Sequence, residues 1–150
     1  MSYIEEFDKL KTKVLKYILY KKRTEQEVRQ KFKPDSGELL DDVIEELKEL
    51  GYIDDEKYIE KLVREYMNLK NLSIKEIEYK LISKGIKKSI IEDYIYNNRE
   101  ELLKYEIKSA TSIINKRISS TEEGELLNNL RKKGYMEESL KIAMEKKEEY

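Results

Sequence analysis

We expect this sequence to fold as an all-α protein made of three tandem three-helix repeats in an elongated, curved arrangement. Pro34 is the only proline, and there are five glycines in 150 residues. The runs between these breakers are long enough for helices, and apolar residues recur along them about every 3.6 residues. The apolar stripes also come in threes, because the order found in residues 1–50 occurs twice more.

Each repeat has a long, a short and a medium stripe. The stripes cover 7–18, 28–32 and 39–50 in repeat one (residues 1–50); 59–66, 74–81 and 90–95 in repeat two (51–98); and 103–114, 126–130 and 140–144 in repeat three (99–150). A single repeat buries too little apolar surface to be stable alone, so we expect consecutive repeats to pack in series.

The middle helix of each repeat has a recurring start signal. A hydroxyl residue followed three positions later by glutamate fits the capping box, in which side chain and backbone satisfy each other's hydrogen bonds. The three pairs are Thr24 with Glu27, Ser73 with Glu76, and Ser120 with Glu123. In repeats two and three the helix end is marked by KGI (84–86) and KGY (133–135), where glycine can adopt the positive φ of a helix C-terminus.

The segment ELGYIDDEKY, residues 49–58, joins repeats one and two. Gly51 is expected to end the third helix, and Tyr52 to pack back on Leu47 or Leu50. Asp54 is expected to cap the next helix.

Four segments of the chain are similar to a known family: RTEQEVRQKF (23–32), LKELGYIDDEKYIEKLVREY (47–66), EIEYKLISKGIKKSIIEDYI (76–95) and LRKKGYMEESL (130–140). Together they resemble the RecX family, bacterial regulators of the RecA recombinase. The resemblance implies three tandem three-helix repeats. It also implies a protein that lies in the groove of the RecA–DNA filament and inhibits or modulates recombinase, ATPase or coprotease activity during homologous recombination, DNA repair and the SOS response.

Composition excludes several kinds of chemistry. The chain has no His and no Cys, so thiolate nucleophiles, imidazole bases and the usual zinc sites are not possible. The carboxylate pair Asp54 and Asp55 has a sufficient explanation in helix capping, and we expect no enzyme activity, metal or cofactor. No stretch is apolar enough to span a membrane, so we expect a soluble, cytoplasmic protein that is monomeric in isolation.

Charge alternates along the chain although the net charge is −1. Basic residues predominate in 11–33 and 57–91, whereas acidic residues predominate in 35–56. We select the following Lys and Arg residues as candidates for contact with a partner or with DNA: Lys21, Lys22, Arg23, Arg29, Lys31, Arg64, Lys75, Lys80, Lys84, Lys87, Lys88, Arg117, Arg131, Lys132 and Lys133. The resemblance implies the RecA nucleoprotein filament as partner, with single- or double-stranded DNA as a further one.

Other interpretations of the same residues stay open. Each cation can simply belong to a solvated helix face with i,i+4 ion pairs. A helix-turn-helix-like protein that binds DNA directly is the alternative function, because a short helix between two longer ones could enter a groove. A peptide-binding scaffold of the tetratricopeptide type fits less well, since Ala110 and Ala143 are the only alanines available for close helix pairs.

Overall fold

The computed structural model describes residues 1–147, and every regular element in that range is a helix, which confirms the all-α class. The α-helices are α1 (Tyr3–Tyr20), α2 (Glu25–Lys31), α3 (Glu38–Glu49), α4 (Asp55–Asn68), α5 (Ile74–Ser83), α6 (Lys88–Asn97), α7 (Arg99–Arg117), α8 (Glu123–Lys132) and α9 (Glu137–Lys146). We call α1–α3, α4–α6 and α7–α9 the first, second and third triplets. None of these helices is both long and apolar enough to cross a bilayer.

The predicted order of helix lengths holds only in the first triplet. There α2 has 7 residues and α3 has 12. In the second and third triplets the last two helices have 10 residues each. A short 3-10 turn at Lys33–Asp35, with Pro34 in it, accounts for the shortness of α2 because proline cannot continue the hydrogen-bond ladder.

Two of the three predicted capping boxes are present. Thr24 and Ser73 each accept a hydrogen bond from a backbone N–H three residues on, and Glu27 and Glu76 return it. The third prediction, at Ser120, is wrong. There α8 begins later, and the Glu122 carboxylate caps it by accepting from the backbone N–H groups of two residues that follow.

Glycines end helices as predicted, with φ of +82° at Gly51, +87° at Gly85 and +100° at Gly134. The packing expected for Tyr52 is wrong, because that side chain is 42% exposed while Ile53 is 3% exposed. We call the segment from each of Gly51, Gly85 and Gly134 to the next helix a joint, and in all three joints the buried residue is the one directly before the N-cap of that helix. The first joint is one residue longer than the others, so this position falls on Ile53.

The buried side chains form three clusters, one centred on each triplet. The first cluster draws on α1, α2, α3 and Ile53. The second combines α4, α5 and α6 with Leu102 and Tyr105 of α7, and the third combines the rest of α7 with α8 and α9. Because α7 contributes to two clusters, it links the apolar cores of the second and third triplets. The first cluster contains no residue of α4–α9. The repeat boundaries after residues 50 and 98, and the elongated, curved shape, stay predictions.

Candidate partner-binding surface

The middle helices α2, α5 and α8 form one row, in which the start of each helix contacts the end of the next. The Thr24 hydroxyl at the start of α2 donates to the Lys84 carbonyl oxygen at the end of α5, at 2.7 Å. In the same way, the Ser73 hydroxyl at the start of α5 donates to the Lys133 carbonyl oxygen at the end of α8, also at 2.7 Å. Each capping hydroxyl therefore stabilises its own helix and joins it to the next triplet.

The glycines at the ends of α5 and α8 allow this close approach. A Cβ atom built on Gly85 would lie 2.3 Å from Cβ of Gln26, and one built on Gly134 would lie 2.5 Å from Cβ of Lys75. Contacts this short cannot be accommodated by moving the tip of a side chain, since Cβ is fixed to the backbone. The two junctions thus need glycine for packing as well as for its positive φ.

A carboxylate supports each junction, half-buried at the first and fully buried at the second. Asp55 of α4 accepts a hydrogen bond from the Glu25 backbone N–H at the start of α2, at 3.2 Å, and burial raises the pKa of Asp55 above its ordinary value. Glu106 of α7 is fully buried and accepts from the backbone N–H groups of Ile74 and Met136, at 2.8 and 2.9 Å. Helix N-termini carry partial positive charge, so they compensate the buried carboxylate.

The junction between α2 and α5 brings together basic residues that the sequence places in two different repeats. Lys31 and Lys84 line one cleft of about 380 Å³, with Tyr17 at its side. Glu27 lines the same cleft, and its carboxylate lies 3.9 Å from the Lys84 ammonium. The Arg23 guanidinium lies 4.2 Å from the Tyr17 ring centroid, and the Lys31 ammonium lies 5.8 Å from it. Cation–π contacts of this kind hold the charged groups in place.

Two further lysines lie over tyrosine rings of α4. Lys22 is 5.9 Å from the Tyr58 ring centroid, and Lys80 is 5.8 Å from that of Tyr66. Burial raises the pKa of Tyr58 to about 12 and raises that of Tyr66 as well, so both phenols stay neutral at physiological pH. Lys22, Arg23, Lys31, Lys80 and Lys84 are named here the first basic cluster.

A second basic cluster, consisting of Lys75, Lys132 and Lys133, lies at the junction of α5 and α8. All three lysines are exposed, and the adjacent Gly134 is half-buried. The Lys133 ammonium donates to the Asn71 carbonyl oxygen at 3.3 Å, which links the end of α8 to the segment before α5. Each cluster therefore lies at one junction of the row, and the two share one equivalent cation, the C-cap lysine, which is Lys84 in the first and Lys133 in the second.

Two candidate arginines have their charge engaged within the protein. Arg29 makes ion pairs with Glu25 at 3.0 Å and with Asp41 at 2.7 Å. Burial alone would raise the pKa of Glu25, but hydrogen bonds from Lys48 and Arg29 lower it overall. Arg131 forms an ion pair with Glu137. Both arginines have less capacity left for a partner than sequence alone suggests.

The remaining candidates are not drawn into either cluster by a contact of the described residues. Lys21 is exposed at the C-cap of α1, and Arg117 is the last residue of α7. Lys87 lines a cavity of about 340 Å³ with acidic residues, and Lys88 lies 3.9 Å from Glu92. Arg64 lies on α4 near Tyr94, where it opposes the rise in the Tyr94 pKa that burial causes.

Sequence reasoning missed two components of this surface. Tyr17 belongs to the apolar stripe of α1, yet it is half-buried and carries Arg23 and Lys31 on its ring. Gln26 provides the atoms that exclude a side chain at Gly85. A basic residue close in sequence to an aromatic one could have suggested the first, whereas nothing in the local sequence signals the second.

Comparison with known proteins gives consistent results. No family model matches the chain. It is 39% identical over 113 residues to the regulatory protein RecX of Finegoldia magna, covering 73% of this chain and 53% of that protein. It is 27% identical over 146 residues to the regulatory protein RecX of Streptococcus mutans, covering 93% and 56% respectively. The chain thus spans about half the length of these curated relatives.

Solved structures of similar fold have the same name. The crystal structure of RecX from Lactobacillus salivarius superposes with a TM-score of 0.81 at 23% identity, over 98% of this chain and 99% of that one. A second structure, of regulatory protein RecX, has a TM-score of 0.76 at 22% identity and is covered over 73% of its length. At these identities the structures establish the shared fold.

Proposed function

The chain belongs to the RecX family, and we propose that it is a non-enzymatic regulator that binds the RecA–DNA filament. It would inhibit or modulate the recombinase, ATPase or coprotease activity of RecA in DNA repair and the SOS response, in the bacterial cytoplasm and as a monomer. The observation that carries this proposal is the row of α2, α5 and α8, with a basic cluster at each junction.

Repetition is what makes this surface suitable for a filament. The hydroxyl-to-carbonyl contact and the glycine approach are the same at both junctions, and each junction has a lysine at the C-cap of the later helix, Lys84 in the first and Lys133 in the second. A filament offers equivalent sites at regular intervals. Weak contacts made simultaneously at several sites multiply through effective concentration, so each cluster needs only modest affinity.

Direct DNA binding by a helix-turn-helix-like unit is the alternative, and the row of helices disfavours it. In that mode the first residues of the recognition helix contact base edges in the major groove. The start of α2 is covered by the end of α5, and the start of α5 by the end of α8. A gel shift with bare duplex at two salt concentrations tests this alternative, which predicts tight binding with a steep salt dependence.

The effect on RecA is the direct test of the proposal. Single-stranded-DNA-dependent ATP hydrolysis by a bacterial RecA is measured with increasing amounts of the wild-type protein. We expect the hydrolysis rate to change at stoichiometric or lower ratios of this protein to RecA. An unchanged rate at several-fold molar excess in moderate salt would contradict the proposal.

Charge reversal in the first basic cluster should weaken this effect. In the variant Lys31→Glu/Lys84→Glu, two acidic groups replace the cations that line the cleft between α2 and α5. Like charges facing an acidic partner are strongly unfavourable, so we expect the concentration needed for half-maximal effect to rise by roughly tenfold or more. The measurement is the same ATP hydrolysis titration.

A control with the same change in net charge separates local from global electrostatics. Lys13→Glu/Lys116→Glu alters two exposed lysines on α1 and α7, outside the row. This control should shift the titration far less. Equal shifts in the two double variants would show that total charge, rather than the first basic cluster, governs binding.

A further inference from the structure

The outer side of α5 carries two large apolar side chains in solvent. Tyr79 is 60% exposed and Ile82 is 46% exposed. Residues three apart on a helix are neighbours on its surface, so the two side chains form one patch. The Lys75 ammonium lies 5.7 Å from the Tyr79 ring centroid, at one edge of the patch.

The other triplets show that the fold does not require apolar residues here. When the three middle helices are aligned on their N-caps, the position of Tyr79 is occupied by Gln30 in the first triplet and Asn128 in the third. The position of Ile82 is occupied by Lys33, just past the end of α2, and by Arg131. Polar residues suffice at the same place in both neighbours, so packing does not explain Tyr79 and Ile82.

Charge around the patch favours an acidic partner. The other exposed side chains of α5 are Lys75, Lys80 and Ser83. The carboxylates of this helix are half-buried: Glu76 is engaged in the capping box, and Glu78 lies 4.0 Å from the Lys75 ammonium. The patch therefore has an apolar centre bordered by two ammonium groups, that of Lys80, which lies over the Tyr66 ring, and that of Lys75, whose charge is partly offset by Glu78. It is also continuous with the first basic cluster, since Ser83 and Lys84 line the same cleft.

The composition of the patch favours protein over nucleic acid. Bases bind through stacking on aromatic rings and through phosphate contacts, and a branched aliphatic side chain such as Ile82 adds to neither. Tyrosine beside an aliphatic residue is typical of the centre of a protein–protein interface, where a few buried anchors carry most of the binding energy.

We propose that Tyr79 and Ile82 are the apolar anchor through which this protein docks on an acidic, partly apolar surface of a protein partner. This inference rests on the proposed function, in which that partner is the RecA protomer facing α5 in the filament. The basic clusters then provide long-range attraction and orientation, whereas Tyr79 and Ile82 provide most of the short-range contact.

The test is the variant Tyr79→Gln/Ile82→Gln, which introduces at position 79 the residue type that α2 already carries there. Co-sedimentation with RecA assembled on single-stranded DNA gives the affinity for the filament, and fluorescence anisotropy gives the affinity for the same DNA without RecA. The control is Tyr96→Gln on α6, because Tyr96 is 67% exposed and lies 4.6 Å from the Arg99 guanidinium. Thermal melts followed by circular dichroism establish that all three proteins are folded.

We expect the double variant to lose roughly tenfold or more in affinity for the filament, as for a hot-spot contact, while the control and the affinity for bare DNA stay unchanged. Unchanged filament binding by the double variant would overturn the inference and leave the proposed function intact. A parallel loss of bare-DNA binding would overturn it too, since Tyr79 would then stack on bases. A wild-type protein that self-associates through this patch, and becomes monomeric in the variant, would also overturn the inference, because a second copy would then be the occupant. Failure of the wild-type protein to bind the filament at all would refute the proposed function, and this inference with it.

Discussion

Gly85→Ala is expected to destabilise the protein by about 3 kcal/mol, from two separate causes. A residue with a side chain at φ +87° costs about 1 kcal/mol relative to glycine. The new Cβ would also lie 2.3 Å from Cβ of Gln26, and overpacking of this kind adds about 1–3 kcal/mol. Relief of the clash requires α5 to move away from α2, which lengthens the hydrogen bond from Thr24 to the Lys84 carbonyl oxygen.

Gly51→Ala provides the control for the first of these causes. Gly51 has a similar φ of +82°, but nothing lies within 4 Å of the Cβ position. We therefore expect a loss of about 1 kcal/mol from backbone strain alone. Urea denaturation followed by circular dichroism at 222 nm gives both values.

A second substitution tests whether the clash is with Gln26. Gln26→Gly removes the Cβ and Cγ atoms that the alanine side chain would meet, so it should cost less in the Gly85→Ala background than in the wild type. If Gly85→Ala destabilised the protein no more than Gly51→Ala, the close packing of α5 on α2 would be wrong.

Glu106→Leu is expected to cost about 3 kcal/mol or more. The Glu106 carboxylate is 0% exposed and accepts hydrogen bonds from the Ile74 and Met136 backbone N–H groups. Hydrogen bonds to a charged group contribute about 1.5–3 kcal/mol each, and the leucine side chain leaves both donors without a partner. Glu106→Gln should be intermediate, because an amide has one oxygen acceptor and would place its NH₂ group against the second N–H.

Glu122→Gln is the corresponding substitution at a solvent-exposed site. The Glu122 carboxylate also accepts from two backbone N–H groups at a helix start, those of Gly124 and Glu125, and these bonds lower its pKa. Water can replace the lost acceptor there, so we expect a much smaller change in the urea midpoint than for Glu106→Gln. Similar losses at the two sites would mean that burial of Glu106 contributes little.

The helices were predictable because their signals are local. Three signals each depend on residues within about one helical turn: the apolar stripes at helical spacing, the Thr24 and Ser73 capping boxes, and the glycines at helix ends. Two wrong predictions, the N-cap at Ser120 and the packing of Tyr52, each selected the wrong residue among close neighbours in sequence. At α8 a glutamate carboxylate reaches two N–H groups, where the Ser120 hydroxyl would satisfy one, and at the first joint an extra residue moves the buried position to Ile53.

The polar interior of α7 could not be predicted from its sequence. Glu106, Ser109 and Thr111 are buried, although the apolar stripe suggests that such residues face solvent. The Ser109 hydroxyl contacts both the Leu72 carbonyl oxygen, at 3.2 Å, and the Tyr135 hydroxyl, at 2.6 Å. These partners come from two different triplets, so the reason for burial exists only once the chain has folded.

The candidate surface was predictable in composition but not in arrangement. Counting charges identified Lys31 and Lys84 separately, and only the contact between α2 and α5 places them in one cleft. Counting charges also gave Arg29 the same weight, although it pairs with Glu25 and Asp41. Which cations remain available to a partner depends on tertiary neighbours, and periodicity carries no information about those.

Sedimentation of the wild-type protein with RecA on single-stranded DNA tests most directly whether this protein binds the RecA filament rather than DNA alone. At physiological salt the protein should pellet with RecA-coated DNA at a fixed ratio and remain largely in the supernatant with the same DNA uncoated. A protein that stays in the supernatant with excess filament, or that pellets equally well with bare DNA, would contradict the account.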